Sequence, residues 1–250
     1  MKNHSKKMIS TTLSLTIDKE PVDVVIEVPA SKCGADAVLP FVRELSNKSI
    51  EIAVKNSLKL GESISCSKGC GACCAQLVPI SEIEIRAINQ FISNQTKQNQ
   101  KKIKDRFAAA KQKLEQAGLW ENLMTPDQMD LHNKTEFGLE YFAQGVYCPF
   151  LEEGACSIHP VRPVACREYL VTSDAKHCEN PGEGNIDGVE IPTRISSALG
   201  ILLEDEASFV SSWIPLIVAP YWKGRHPGEA DKKKGSEWTE IFIEKLNKVS

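Results

Sequence analysis

A mainly helical single domain, carrying two small β-hairpins and organised by cysteine-bound metal, is the fold class this sequence predicts. Three observations lead there. Apolar residues recur at helical spacing behind recognisable caps, two short alternating stretches flank turn residues, and nine cysteines, most of them clustered, occur in 250 residues. A chain with 42% hydrophobic and 25% charged residues can fold, and its length allows a core of its own.

The elements follow in order. Leu13, Leu15 and Ile17 alternate with polar residues, and Val22, Val24, Ile26 and Val28 repeat the pattern beyond Asp18 to Pro21, which predicts an N-terminal hairpin. Leu39, Val42, Leu45, Ile52 and Ala53 predict a helix between residues 36 and 60 that stops at Gly61. Ser81 and Glu84 form a capping box, with Ile80 and Ile85 as its apolar staple, so a helix runs from about residue 82 to Ser93. Ile83, Ala87, Ile88 and Phe91 mark its buried face.

Ile103, Phe107, Ala110 and Leu114 keep the 3.6 period of the next helix, which ends at Gly118. The lysines from Lys97 to Lys113 read as its solvated face rather than a basic binding strip. Thr125, Pro126 and Gln128 predict the start of a short helix. Val146–Leu151 and Ala155–Ile158 flank Glu152, Glu153 and Gly154 as a second hairpin. Pro163 opens a helix carrying Cys166 and Tyr169, residues 182–192 form a loop, and Thr193–Leu203 form a helix. Pro215 interrupts an apolar stretch whose Trp213, Tyr221 and Trp222 read as core. A polar linker from Lys223 to Gly235 leads to a terminal amphipathic helix through Trp238, Ile241, Phe242 and Lys245. The expected units are residues 1–60 (hairpin and helix), 61–180 (cysteine-cluster metal-binding domain), 181–225 (a helical part packed on it) and 226–250 (linker and terminal helix).

A formal net charge of −3 gives no basic field, so nucleic acid and membrane are not expected as partners. No spanning segment and no export signal are read from the sequence, and a cytoplasmic, reducing setting is expected. There, clustered cysteines serve as metal ligands or redox groups more often than as disulfides. Neither a Gly-x-Ser-x-Gly nucleophile motif nor a phosphate-binding glycine loop occurs.

Cys66, Cys70, Cys73 and Cys74 fall within nine residues, and Gly69 and Gly71 give this turn the backbone freedom to wrap around an ion. Ser65, Ser67 and Lys68 do not suit a core segment. A second group comprises Cys148, Cys156, Cys166 and Cys178. Eight thiols are twice the four that zinc or an iron-sulfur cluster takes, which fits two sites, or one site with further supporting thiols. Because neighbouring side chains diverge, at most one of Cys73 and Cys74 should join Cys66 and Cys70 easily. Arg162 and Arg167 flank Cys166 as candidate cofactor-site cations: they would favour thiolate and offset the charge of a bound cluster, while ordinary salt bridges suit them equally. His159 and His177 lie beside cysteines and read as supporting residues rather than ligands. Cys33 lacks a nearby partner and is left outside the site.

These residues resemble the YkgJ-type cysteine-cluster family of zinc- or iron-chelating domains. The first motif corresponds to Cys66-x3-Cys70-Gly71-Ala72-Cys73-Cys74, and the second runs from Cys148-Pro149-Phe150-Leu151 through Gly154, Cys156, Arg162-Pro163 and Cys166-Arg167 to Cys178. The resemblance spans about residues 60 to 180 and departs at His159-Pro160, where many members have Tyr-Glu. It implies an iron-sulfur centre, [4Fe-4S] by analogy with a larger relative, the flagellin lysine N-methylase, which is associated with such a cluster and S-adenosylmethionine.

Zinc suits the same thiols, so the preference for iron rests on the resemblance. Three classes remain open: a redox or S-adenosylmethionine enzyme, a zinc-stapled interaction module and a metal-sequestering protein. The corresponding partners are metal- or cluster-delivery machinery and a protein substrate or electron-transfer partner.

Overall fold

The structure, a computed structural model, describes residues 7–128, 134–184, 186–204, 213–224 and 232–249. It is mainly helical, with short two-stranded antiparallel sheets.

Strands β1 (Met8–Ile17) and β2 (Glu20–Pro29) pair in full register from Met8 opposite Pro29 to Ile17 opposite Glu20. The two-residue turn places Asp18 and Lys19 at φ of 49° and 64°, the left-handed pair that matches the twist of a hairpin. Val22, Val24, Ile26 and Val28 are buried and their neighbours are not, as the alternation requires. Two residues of β3 (Lys32–Cys33) then lead to helix α1 (Leu39–Lys59), which closes before Gly61 at φ 80°. From α1, Asn56 Nδ2 donates to Asp18 Oδ2 at 2.7 Å and fastens the hairpin turn.

A short β4 (Pro79–Ile80) precedes α2 (Glu82–Ser93), whose predicted capping box is present in both directions. Ile80 and Ile85 are both buried in the same core. Helix α3 (Lys97–Gln116) buries Ile103, Phe107, Ala110 and Leu114, the four residues its period selects. Its lysines carry exposed pairs such as Lys101 with Asp105 at 2.7 Å.

Next come α4 (Trp120–Met124) and α5 (Lys134–Ala143). The helix expected to begin at Thr125 is displaced: Thr125 ends α4, and Pro126–Gln128 makes one tight turn. Whatever follows it, residues 129–133, lies outside the described residues.

The second hairpin has arms of only two residues, β5 (Leu151–Glu152) and β6 (Ala155–Cys156), around Glu153 and Gly154 at φ of 50° and 78°. Pro149 has no N–H for a longer ladder. Helix α6 (Val164–Glu168) begins just after Pro163 and stops at Tyr169, so Cys166 is helical and Tyr169 is its extended cap. The predicted helix from Thr193 shortens to α7 (Ile195–Gly200). Strand β7 (Ile214–Pro215) pairs with β4, and β8 (Lys233–Lys234) pairs with β3 ahead of α8 (Gly235–Val249). Residues 225–231 of the expected linker lie outside the described residues.

Two main cores result. The first joins β2, α1, α7 and α8, with Phe41 and Phe242 edge to face at 5.6 Å. The second joins α2 to α5 with Phe150, Ile158 and residues 214–219, and Tyr221 and Trp222 pack against it. Helix α2 serves both, since Ile83 belongs to the first core and Ile85, Ile88 and Ile92 to the second. No helix among the described residues is long and apolar enough to cross a membrane.

Candidate metal centre

The first cysteine block is a looped segment with few apolar side chains, held by its surroundings. Ser65 anchors it: its N–H donates to Val171 O and its hydroxyl to Thr172 O, both at 3.0 Å. Gly69, at φ 90°, lets the chain turn after Lys68, where a side chain would be strained. Gly71 permits a close approach, because a Cβ there would stand 2.7 Å from Leu151 Cδ1 and 3.2 Å from Gly154 O. The block therefore lies directly against the second hairpin. A tight turn at Ala72–Ala75 carries Cys73 and Cys74, and Cys148 N donates to Cys74 O at 2.7 Å. The same turn packs on the turn Ala175–Glu179, which carries Cys178.

Helix α6 is too short to hold Cys166 by its own hydrogen bonds. Buried carboxylates fix it instead. Glu84 Oε1 accepts from Val164 N at 2.8 Å, while Glu168 accepts from Ser196 N at 3.1 Å and from the Ser196 hydroxyl, tying α6 to the start of α7. Sequence reasoning identified Glu84 only as a cap for its own helix.

The structure gathers all eight predicted thiols around one segment. Cys73 acts electrostatically on Cys66, Cys148, Cys156, Cys166 and Cys178, which makes it the hub. Cys178 also senses Cys66 and Cys70, whereas Cys148 senses Cys156, and Cys166 senses Cys148. Cys70 is exposed, Cys178 is buried and the other six are half-buried. Cys33 sits apart in the first core, its thiol 3.5 Å from Lys233 O.

Burial raises the thiol pKa values of Cys66, Cys156, Cys166 and Cys178, and that of Cys148 to about 12. Cys73 is raised first by a hydrogen bond with the Cys74 thiol and then by burial. Three groups oppose this. Backbone N–H groups of Val171, Phe150 and Ile158 point at the sulfurs of Cys66, Cys148 and Cys156, an arrangement that stabilises thiolate. Tyr169, which accepts a hydrogen bond from Gln76 Nε2 at 3.0 Å, shares another with Cys178.

Arg162 supplies the charge, favouring thiolate at Cys66, Cys73, Cys156 and Cys166. Its Nε is buried with no hydrogen-bond partner among the described residues. Arg167 also favours thiolate at Cys156, while its guanidinium hydrogen-bonds Asn47 Oδ1 at 3.1 Å, Pro160 O at 2.8 Å and the carbonyls of His159 and Arg162. Arg43 of α1 reaches the same loop through Val161 O at 3.3 Å. His159 is exposed, and partial desolvation together with Arg162, Arg167 and Lys68 lowers its pKa. His177 lies in the Cys178 turn, its N–H donating to Asp174 O.

This donor set fits a thiophilic metal. The thiols are concentrated, N–H groups aim at sulfur, and beside them half-buried Arg162 keeps its Nε without a hydrogen-bond partner among the described residues. Among the described residues, no three His, Cys, Asp or Glu side chains already converge closely enough to hold an ion, so binding must draw the thiols together. Soft thiolates suit zinc and iron alike.

No curated protein and no solved structure matches the chain. Residues 65–183 match the model of the CxxCxxCC family, whose description reads "Putative zinc- or iron-chelating domain". That span contains all eight gathered cysteines, and the match supports reading residues 65–183 as a cysteine-cluster domain similar to the CxxCxxCC family.

Proposed function

We propose that the chain binds an iron-sulfur centre, of the [4Fe-4S] type, through cysteines of both blocks, and uses it in redox chemistry or S-adenosylmethionine-dependent methyl transfer. The observation that carries this reading is the Cys73 hub: thiols distant in sequence share one electrostatic neighbourhood, with Arg162 facing it. The preference for iron rests on the resemblance to YkgJ-type proteins and the lysine N-methylase. A zinc-stapled module is supported by the same thiols and by a family description that names both metals.

In this reading the ligands are drawn from Cys66, Cys70, Cys73, Cys74, Cys148, Cys156, Cys166 and Cys178, and Arg162 offsets their charge. Arg167 holds the loop that presents Arg162. A bound cluster would supply one-electron chemistry. Cys70, exposed on its glycine-flanked turn, is the face that delivery machinery, an electron-transfer partner or a protein substrate would meet. Nucleic acid and membrane are not among the proposed partners.

Anaerobic purification followed by iron, zinc and acid-labile sulfide analysis tests the proposal. Iron with sulfide, and a brown colour that fades in air, is expected. Stoichiometric zinc without sulfide would overturn it.

A further inference from the structure

We infer that the cysteines form two adjoining metal positions sharing the Cys73 thiolate, an inner one completed by Cys148, Cys156 and Cys166 and an outer one by Cys66, Cys70 and Cys178. This rests on the metal-centre reading and assigns thiols within it. The sequence groups Cys66, Cys70, Cys73 and Cys74 as one block, but the tertiary structure cuts across that grouping. On one side, the turn Ala72–Ala75 packs against Ala175–Glu179 and so faces Cys178. On the other, Cys148 N bonds to Cys74 O at 2.7 Å, and Gly71 abuts Leu151 and Gly154 of the second hairpin. Cys73 therefore stands between the carriers of the two trios.

Each trio has its own backbone support. In the outer trio, Ser65 fixes Cys66 to Val171 and Thr172, and Tyr169 on the same segment reaches Cys178. In the inner trio, Phe150 and Ile158 N–H groups face Cys148 and Cys156, and α6 presents Cys166. Three thiolates leave a four-coordinate ion one ligand short. A shared Cys73 completes both positions at once. The Cys74 thiol hydrogen-bonds to that of Cys73 and so stands beside the shared donor, but donor sharing does not require it as a ligand. Arg162 influences Cys66 of the outer trio and Cys156 and Cys166 of the inner one, so one cation serves the junction. The positions also differ in access, because the outer trio includes exposed Cys70.

Cobalt substitution tests the partition. The full chain, produced in iron-limited, cobalt-supplemented cells and purified anaerobically, is examined by native mass spectrometry, absorption and electron paramagnetic resonance. Two Co(II) ions per chain are expected, both with thiolate charge-transfer bands. Their resonance signal per cobalt should be weaker than that of singly loaded chain, since a bridging thiolate couples the two spins. Cys156→Ser and Cys178→Ser should each keep one cobalt, Cys73→Ser should weaken both positions at least tenfold, and Cys33→Ser should keep two. One cobalt in the wild type, two magnetically independent ions, or a Cys73→Ser chain retaining one ion at wild-type affinity would overturn the partition. Stoichiometry and spin coupling need no substitution, so a misfolded variant does not block the test. Because neither iron nor sulfide is used, the result is separable from the iron-sulfur proposal: two coupled cobalt ions leave the partition standing even where sulfide is absent.

Discussion

Glu84 Oε1 accepts a hydrogen bond from the backbone N–H of Val164 at 2.8 Å, so the residue that caps α2 also anchors the helix bearing Cys166. Its other oxygen accepts from the Ser81 N–H and hydroxyl, both at 2.9 Å. A single buried carboxylate thus links the start of one helix to the cysteine-bearing segment 80 residues later.

Removing that carboxylate should destabilise the chain well beyond a surface change. We expect Glu84→Ala to lose about 2–4 kcal/mol, since it strands buried N–H groups at both helices, and exposed Lys104→Ser to stay within about 0.5 kcal/mol. Denaturant unfolding of both variants checks this. Equal midpoints for Glu84→Ala and wild type would show that water replaces the carboxylate without penalty.

Arg162 and Arg167 should behave differently although they flank the same cysteine. Arg162→Gln removes the cation that favours thiolate at four cysteines, so a competing chelator should strip metal at about three- to tenfold lower concentration, with little change in the metal-free melting temperature. Arg167→Gln breaks hydrogen bonds to Asn47 and Pro160 and should lower stability by about 1–3 kcal/mol. Chelator competition paired with thermal melts separates the two, and identical profiles would refute the division of labour.

Metal removal should expose how far the fold depends on its centre. Cys70→Ser and Cys166→Ser should melt well below Lys104→Ser in anaerobic samples of measured metal content. Ligation of a site absent from the unfolded chain contributes on the order of 10 kcal/mol in zinc peptides, against a usual domain stability of about 5–15 kcal/mol. Since Cys70 is exposed, chelated wild type and chelated Cys70→Ser should then converge. Cysteine variants that lose metal yet melt with wild type would make the centre an appendage.

Cys33→Ser should keep the full metal content. Its thiol lies in the first core near Lys233 O, and the substitution should lower stability by about 0.5–2 kcal/mol through packing alone. Loss of metal from this variant would place Cys33 in the site.

Much of this architecture is legible in the sequence wherever a local pattern carries the information. The Ser81–Glu84 box and the four buried residues of α3 need only contacts within one helix or along one face. The pairings of β3 with β8 and of β4 with β7 are not legible, because two-residue strands carry no periodicity and their partners lie far along the chain. Helix α5 escapes for a related reason: among its described residues Phe137 and Tyr141 are the strongly buried large ones, too few to define a stripe. The cysteines announce themselves by spacing, but Cys73 as their hub depends on which turns pack together, as does the reach of Glu84 beyond its own helix.

The distribution of the thiols along the chain also sets an order of events during synthesis. Cys74 leaves the ribosome 104 residues before Cys178, a delay of about 5–20 s at ordinary elongation rates. For most of that interval the first block lacks the hairpin that presses on Gly71, and until its end it lacks the turn that packs on the Cys73 turn. The nascent Cys66–Cys74 loop is therefore the stage most open to oxidation or capture by the wrong ion, and all eight clustered thiols exist together only once the last cysteine has been made.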